Sequence, residues 1–101
     1  MDSAQIRGDG VATHVLFDAV LDISRARDLC ERLNQALESG DPLMLDGGHI
    51  ARIDTAAIQT LTIFCRTAKE RGIPINWCAA SPSLRQAAET LGLVQILQVQ
   101  L

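Results

Sequence analysis

The chain is 101 residues long, which is enough for one hydrophobic core and too short for two. Hydrophobic residues make up 48% and charged residues 21%, a composition that does not fit disordered or fibrous proteins. A net charge of −3 and an aromatic content of 3% argue against a basic, base-stacking surface. We therefore predict a protein partner and no nucleic-acid partner.

The first ten residues carry charge, and no run of eighteen apolar residues occurs. We expect a cytoplasmic protein that does not insert into a membrane. Cys30, Cys65 and Cys78 lie far apart in apolar contexts, without the close pairs that bind zinc or shuttle electrons. This spacing predicts buried, reduced thiols.

The N-terminal half predicts short strands followed by a helix. Residues 1–10 are polar and predict either a frayed lead-in or a weak edge strand. Residues 13–17 have strand composition, a second short strand is expected to include residues 20–21, and Asp22 and Ser24 offer helix caps. Apolar residues then recur every three or four positions to about Glu38, which predicts a one-sided helix: Ala26, Leu29, Cys30, Leu33 and Leu37.

The C-terminal half alternates strands and helices. Residues 43–45 form an apolar run that predicts a strand covered on both faces or nearly so, and a second helix is expected from about Thr55 to Glu70. Residues 75–79 predict a third strand, and Ser81 with Pro82 opens a helix whose apolar stripe includes Leu91. Residues 94–101 predict a last strand or a helical turn. This alternation predicts an α/β fold with a partly parallel sheet.

The segment from Arg52 to Leu61 places an acidic and a hydroxyl residue at the start of the second helix. Either Asp54 or Thr55 can supply the oxygen that caps the free backbone N–H groups, and the helix dipole favours negative charge there. Thr55 is therefore a candidate phosphoacceptor, because a phosphoryl group adds about −1.5 to −2 charge where a partner would pack. Two alternatives stay open. Thr55 is only a helix cap, or Asp54 is a second cap or a turn residue, orients the Thr55 hydroxyl, or helps a kinase to bind Mg²⁺.

A surface around Thr55 is predicted to bind the partner. Several side chains of the second helix recur at spacings of three and four on the face opposite its apolar stripe, and the loop of residues 46–49 is expected at the same edge. The histidines are too poorly accompanied for a metal site, so we predict no metal, no cofactor and no catalytic residue. The predicted partner-binding residues are Asp54, Thr55, Ala56, Gln59, Thr62, Ile63, Arg66 and His49.

The order of elements, with Asp-Thr at the start of the second helix, resembles the STAS domain, the family of anti-sigma-factor antagonists. In that family a hydrophobic residue, Asp and Ser or Thr end a strand, and Ile53-Asp54-Thr55-Ala56-Ala57-Ile58 matches this motif. The segment from Gly72 to Leu93 resembles the strand and helix that follow it. The chain differs in having Ala57 where Gly is usual and Ala56 where a second Ser often lies.

The resemblance implies a STAS fold over residues 1–101, with a mixed sheet of four to five strands and helices mainly on one face. It also implies a non-enzymatic switch, in which a serine/threonine-kinase-type anti-sigma factor phosphorylates Thr55 and so controls partner choice. STAS subunits of lipid-transporting ABC systems and small STAS proteins of bacterial chemotaxis have similar motifs. They imply an alternative, a constitutive subunit bound to a transporter ATPase or a histidine kinase complex, without phosphorylation.

Overall fold

Strands and helices alternate along residues 3–99, the part of the chain that the computed structural model describes. The strands are β1 (Ala4–Gly8), β2 (Thr13–Phe17), β3 (Val20–Leu21), β4 (Leu43–Gly47), β5 (Arg52–Ile53) and β6 (Ile75–Ala80). The helices are α1 (Ala26–Glu38), α2 (Thr55–Glu70), α3 (Pro82–Thr90) and α4 (Val94–Leu97), and a 3₁₀ turn (Ile23–Arg25) precedes α1.

Four strands form the main sheet in the order β1-β2-β4-β6. The β1–β2 pair is antiparallel, whereas β2–β4 and β4–β6 are parallel. The short strands β3 and β5 pair with each other in parallel, outside the main sheet. The predicted α/β fold with a mixed, partly parallel sheet is therefore confirmed.

Burial along the strands shows that one face of the sheet is covered. In β4 the side chains of Leu43 and Leu45 are buried, while those of Met44 and Asp46 are only half-buried. The sequence predicted a strand covered on both faces or nearly so, whereas the second face of β4 is covered only in part. A three-residue apolar run does not reveal this alternation.

The first residues form a strand, one of the two alternatives that the sequence left open. Residues 4–8 form an edge strand of the sheet, so the lead-in interpretation is wrong for them. The Asp28 carboxylate anchors this end to α1, because it accepts hydrogen bonds from the Ser3 backbone N–H (2.9 Å) and hydroxyl (2.8 Å). These bonds and the Arg32 side chain lower the pKa of Asp28 to about 2.

At the C-terminal end, the sequence predicted a last strand or a helical turn for residues 94–101. The helical turn is confirmed by α4, while residues 100–101 lie outside the described residues.

The two large aromatic side chains of the sheet pack across β4. The rings of Phe17 and Trp77 are stacked with centroids 5.7 Å apart, and the Trp77 indole N–H donates to the Leu97 carbonyl at 2.7 Å. Gly47 lies against Trp77 and Leu84: a Cβ there would stand 2.9 Å from Trp77 Cζ3 and 2.9 Å from Leu84 Cδ2. This contact explains why a residue without a side chain occupies the end of β4.

The cysteines do not share one environment. Cys65 is buried, and its burial raises the pKa of the thiol to about 12. Cys30 and Cys78 are exposed, so the prediction of three buried thiols is wrong for two of them. Side chains alternate between the two faces of β6, and that of Cys78 lies on the uncovered face. Cys30 lies at the outer margin of the apolar stripe of α1.

Candidate partner-binding site at the start of α2

Asp54 is the N-cap of α2. Its backbone is extended (φ −97°, ψ 176°), and Oδ1 accepts a hydrogen bond from the Ala57 N–H at 3.0 Å. The second oxygen, Oδ2, accepts from the Ile23 N–H at 2.6 Å, which ties the 3₁₀ turn to α2. Both carboxylate oxygens thus bind backbone groups, and the geometry favours the capping role of Asp54 over a role in orienting the Thr55 hydroxyl.

Thr55 is the first residue of α2 and is exposed. Within residues 3–99, no group forms a hydrogen bond with its hydroxyl, because the cap is supplied by the residue before it. The interpretation that Thr55 is only a helix cap is therefore wrong. The hydroxyl is left accessible at the positive end of the helix dipole.

Two grooves meet at Thr55. The α3 groove, about 490 Å³, lies between the β5–α2 segment and α3 and includes Ile58 and Ala87. The α2 groove, about 410 Å³, runs along α2 beside the α3–α4 connection. Thr55 and Leu91 line both grooves, so a group added to Thr55 would project where they join.

Exposed apolar side chains concentrate on this side of the molecule. Ile63 (63% exposed) and Leu91 (49%) line the α2 groove, and the backbone of Ile23 (74%) is hydrogen-bonded to Asp54, the residue before Thr55. These are three of the six large hydrophobic residues that are exposed within the described chain. Such a cluster is typical of a protein-binding surface, whereas single exposed apolar residues carry no such meaning.

The α2 groove brings together most of the predicted partner-binding residues. Thr55, Gln59, Ile63 and Arg66 line it and are exposed. Thr62 also lines it, but it is only 9% exposed and its hydroxyl donates to the Ile58 carbonyl at 2.8 Å. The prediction that Thr62 lies on the face opposite the core is therefore wrong, because α4 packs against α2 and the α3–α4 connection lies beside Thr62.

Ala56 and His49 stand apart from the grooves. Ala56 is half-buried and lines neither, and its carbonyl accepts from the Thr60 hydroxyl at 3.0 Å. His49 lines a separate depression of about 290 Å³ beside the end of β2. His49 thus lines neither groove at Thr55, and its contact with a partner stays a prediction. The backbone N–H of Ala51 donates to the Ala19 carbonyl and holds the β4–β5 loop against the β2–β3 connection.

Two groove residues were not expected from the sequence. Leu91 was assigned to the core stripe of α3, yet it is exposed, and Leu93 follows it in the α3–α4 connection. The only local signal was Gly92, which ends α3 with φ +69° and turns the chain beside α2.

Within residues 3–99, no helix is long and apolar enough to cross a membrane. In the same range, no three His, Cys, Asp or Glu side chains are grouped so that they could hold a metal ion.

Comparison with known proteins places the chain in a family. A solved chain described as "Crystal Structure Analysis of Mglu" is similar over 73% of this chain, with a TM-score of 0.65 and 14% identity. The match spans 19% of that solved chain, and at this identity it shows a shared fold. No curated protein matches. A family model described as "Mlab, STAS domain" matches residues 4–98, which is nearly the whole chain, and the chain therefore belongs to the STAS domain family.

Proposed function

We propose that this chain is a regulatory protein-interaction module that binds its partner through the surface around Thr55, and that phosphorylation of Thr55 weakens the complex. STAS domains generally mediate protein–protein interaction, which supports the binding role. The observation that carries the proposal is the helix cap. Asp54 accepts the hydrogen bond from the Ala57 N–H, so the Thr55 hydroxyl stays exposed where the two grooves join.

The proposed mechanism rests on what a bound partner would cover. Burial of Ile63 and Leu91 against a partner stabilises the complex, since both are exposed in the free chain. A phosphoryl group on Thr55 adds about −1.5 to −2 charge and bulk between them. Docking would then remove this charge from water, which is costly unless the partner pairs with it. The partner class that we propose, from the family resemblance, is a kinase-fold or ATPase-fold regulator.

Substitutions at Thr55 test the proposal against a partner recovered from the source cells, with affinity measured by titration calorimetry. Thr55→Ala removes the phosphoacceptor and should retain the wild-type Kd within about threefold, while Thr55→Glu should weaken binding at least about tenfold. Gln35→Glu is the matched control, because it adds the same charge on an exposed position of α1 that lines neither groove. Unchanged affinity of Thr55→Glu would contradict the proposed switch.

The second candidate is a constitutive subunit of a transporter ATPase or of a chemotaxis histidine kinase complex. The predominantly apolar α2 groove favours it, because Ile63, Leu91 and Leu93 suit a permanent contact. In this case Thr55 makes contacts and is never phosphorylated, so Thr55→Ala and Thr55→Glu should both weaken binding. Both candidates are binding functions, and neither assigns a catalytic step to the chain.

A further inference from the structure

Positive charge is concentrated at the far end of the α2 groove. Arg66 is the one charged residue among those that line this groove within the described chain. A neighbouring depression of about 270 Å³ continues from it and is lined by Arg66, Lys69, Gln95 and Ile96. Cations therefore follow the apolar side chains along α2, although the chain as a whole carries a net charge of −3.

These two cations have no acidic partner among the described residues. Arg66 and Lys69 are exposed, and the ion pairs formed within residues 3–99 lie elsewhere, on α1 and near β2. Glu70 follows Lys69 but lines neither depression. By contrast, the positive charge of Arg52 in β5 helps to lower the pKa of Asp22, after the hydrogen bonds from Ser24 and the charge of Arg25.

We infer that the partner contributes an acidic amphipathic helix to the α2 groove, with apolar side chains against Ile63, Leu91 and Ile96 and carboxylates paired with Arg66 and Lys69. The inference rests on the proposed function of the same surface and specifies the chemistry of its partner. From Thr55 to Lys69 the groove and its extension follow α2 for about 21 Å, which matches about four turns of a docked helix.

The arrangement of charge and apolar surface favours this occupant. Apolar side chains line the groove and the cations lie at its far end, where a guanidinium can bind a carboxylate through two hydrogen bonds. A basic segment would place like charges against Arg66 and Lys69.

Synthetic peptides test the charge preference directly. The probe is a helical 16-residue peptide, about the length of four turns, with Leu at one face and Glu on its flanks. Its control has Lys in place of Glu. We expect the acidic peptide to shift the amide NMR signals of Gln59, Ile63 and Arg66 and to bind at least about tenfold more tightly than the basic one. Equal binding of the two peptides, no binding of the acidic one, or shifts confined to another surface would overturn the inference.

A charge-reversal variant checks the residues involved. Arg66→Glu combined with Lys69→Glu should weaken binding of the acidic peptide at least about tenfold and flatten its salt dependence. Arg85→Glu, at an exposed position of α3 outside both grooves, should bind as the wild type does. Circular dichroism and a urea titration establish that each variant is folded. Wild-type affinity in the folded double variant would overturn the inference.

Other occupants give distinct results. Binding to phosphatidylglycerol vesicles instead of the acidic peptide, lost in the double variant, would assign the surface to a lipid membrane. Self-association lost in the same variant would assign it to a second copy of the chain; either result overturns the inference. With the natural partner, a loss of binding in Thr55→Glu but not in the double variant would overturn the acidic-helix inference and leave the proposed switch. The reverse pattern would overturn the switch and support the acidic-helix contact.

Discussion

The cap at Asp54 makes a stability prediction that can be worked from the structure. Asp54→Ala removes the acceptor of the Ala57 N–H, and loss of an N-cap costs about 1 kcal/mol. It also removes the acceptor of the Ile23 N–H. We take the contribution of this bond as about 1 kcal/mol, because it involves a charged group but lies at the surface. The free energy of unfolding should therefore fall by about 2 kcal/mol, and the Tm by about 8 to 16 °C.

Urea unfolding followed by Trp77 fluorescence and far-UV circular dichroism measures this change. Asp54→Asn should show about half of the loss, about 1 kcal/mol, because the amide keeps one oxygen to accept from the Ala57 N–H but turns its NH₂ donor towards the Ile23 N–H. Ser81→Ala is an independent comparison, since the Ser81 hydroxyl accepts from the Leu84 N–H at 3.1 Å and caps α3; it should cost about 1 kcal/mol.

Asp41→Ala is the matched control, because no described group donates a hydrogen bond to its carboxylate; it should change stability by less than about 0.5 kcal/mol. A loss below about 0.5 kcal/mol in Asp54→Ala would refute the reasoning. It would mean that another group or water accepts hydrogen bonds from the free backbone N–H groups in the first turn of α2. The assignment of the cap to Asp54, on which the accessible Thr55 hydroxyl depends, would then fail.

Three further predictions concern packing, thiol reactivity and acid stability. Gly47→Ala should lower the free energy of unfolding by about 1 to 3 kcal/mol because its new Cβ would overlap buried side chains. Gly8→Ala should leave the free energy of unfolding unchanged, because no atom lies within 4 Å of the Cβ that it adds. Equal urea midpoints for the two variants would contradict this packing argument. In the native protein a thiol reagent should label Cys78 and spare Cys65, which is buried with a pKa of about 12; equal labelling rates measured by peptide mapping would be inconsistent with that burial. The pKa of Asp28 is lowered from 3.8 to about 2, so its contribution is present above about pH 4 and is lost as pH falls towards 2. Asp28→Asn should therefore unfold more easily than the wild type at neutral pH, with the difference disappearing near pH 2 in urea titrations.

Features fixed by neighbouring residues could be read from the sequence. The start of α2 after Asp54 and the start of α3 after Ser81 follow from capping chemistry within three residues, and both are confirmed. The end of α1 at Glu38 is likewise confirmed, because Gly40 follows it with φ +71°.

Features fixed by distant parts of the chain could not be read in this way. Strand β5 is two residues long and exists because it pairs with β3, so it has no periodicity of its own. Thr62 has the helical spacing of an exposed residue, and Leu91 that of a core residue, yet packing of the α3–α4 connection beside α2 gives each the opposite environment. The grooves at Thr55 are therefore a tertiary property that the motif around it does not specify.

The central claim, that Thr55 controls partner binding, is tested most directly by isolating the intact protein from its native cells with its partners. Mass spectrometry would then measure the phosphate on Thr55 separately in the bound and unbound pools. The account predicts a kinase-fold or ATPase-fold partner in the bound pool and phosphate confined to the unbound pool. A stoichiometric complex that carries phosphorylated Thr55, or one in which Thr55 is unmodified in both pools, would contradict it, and the latter would favour the constitutive subunit.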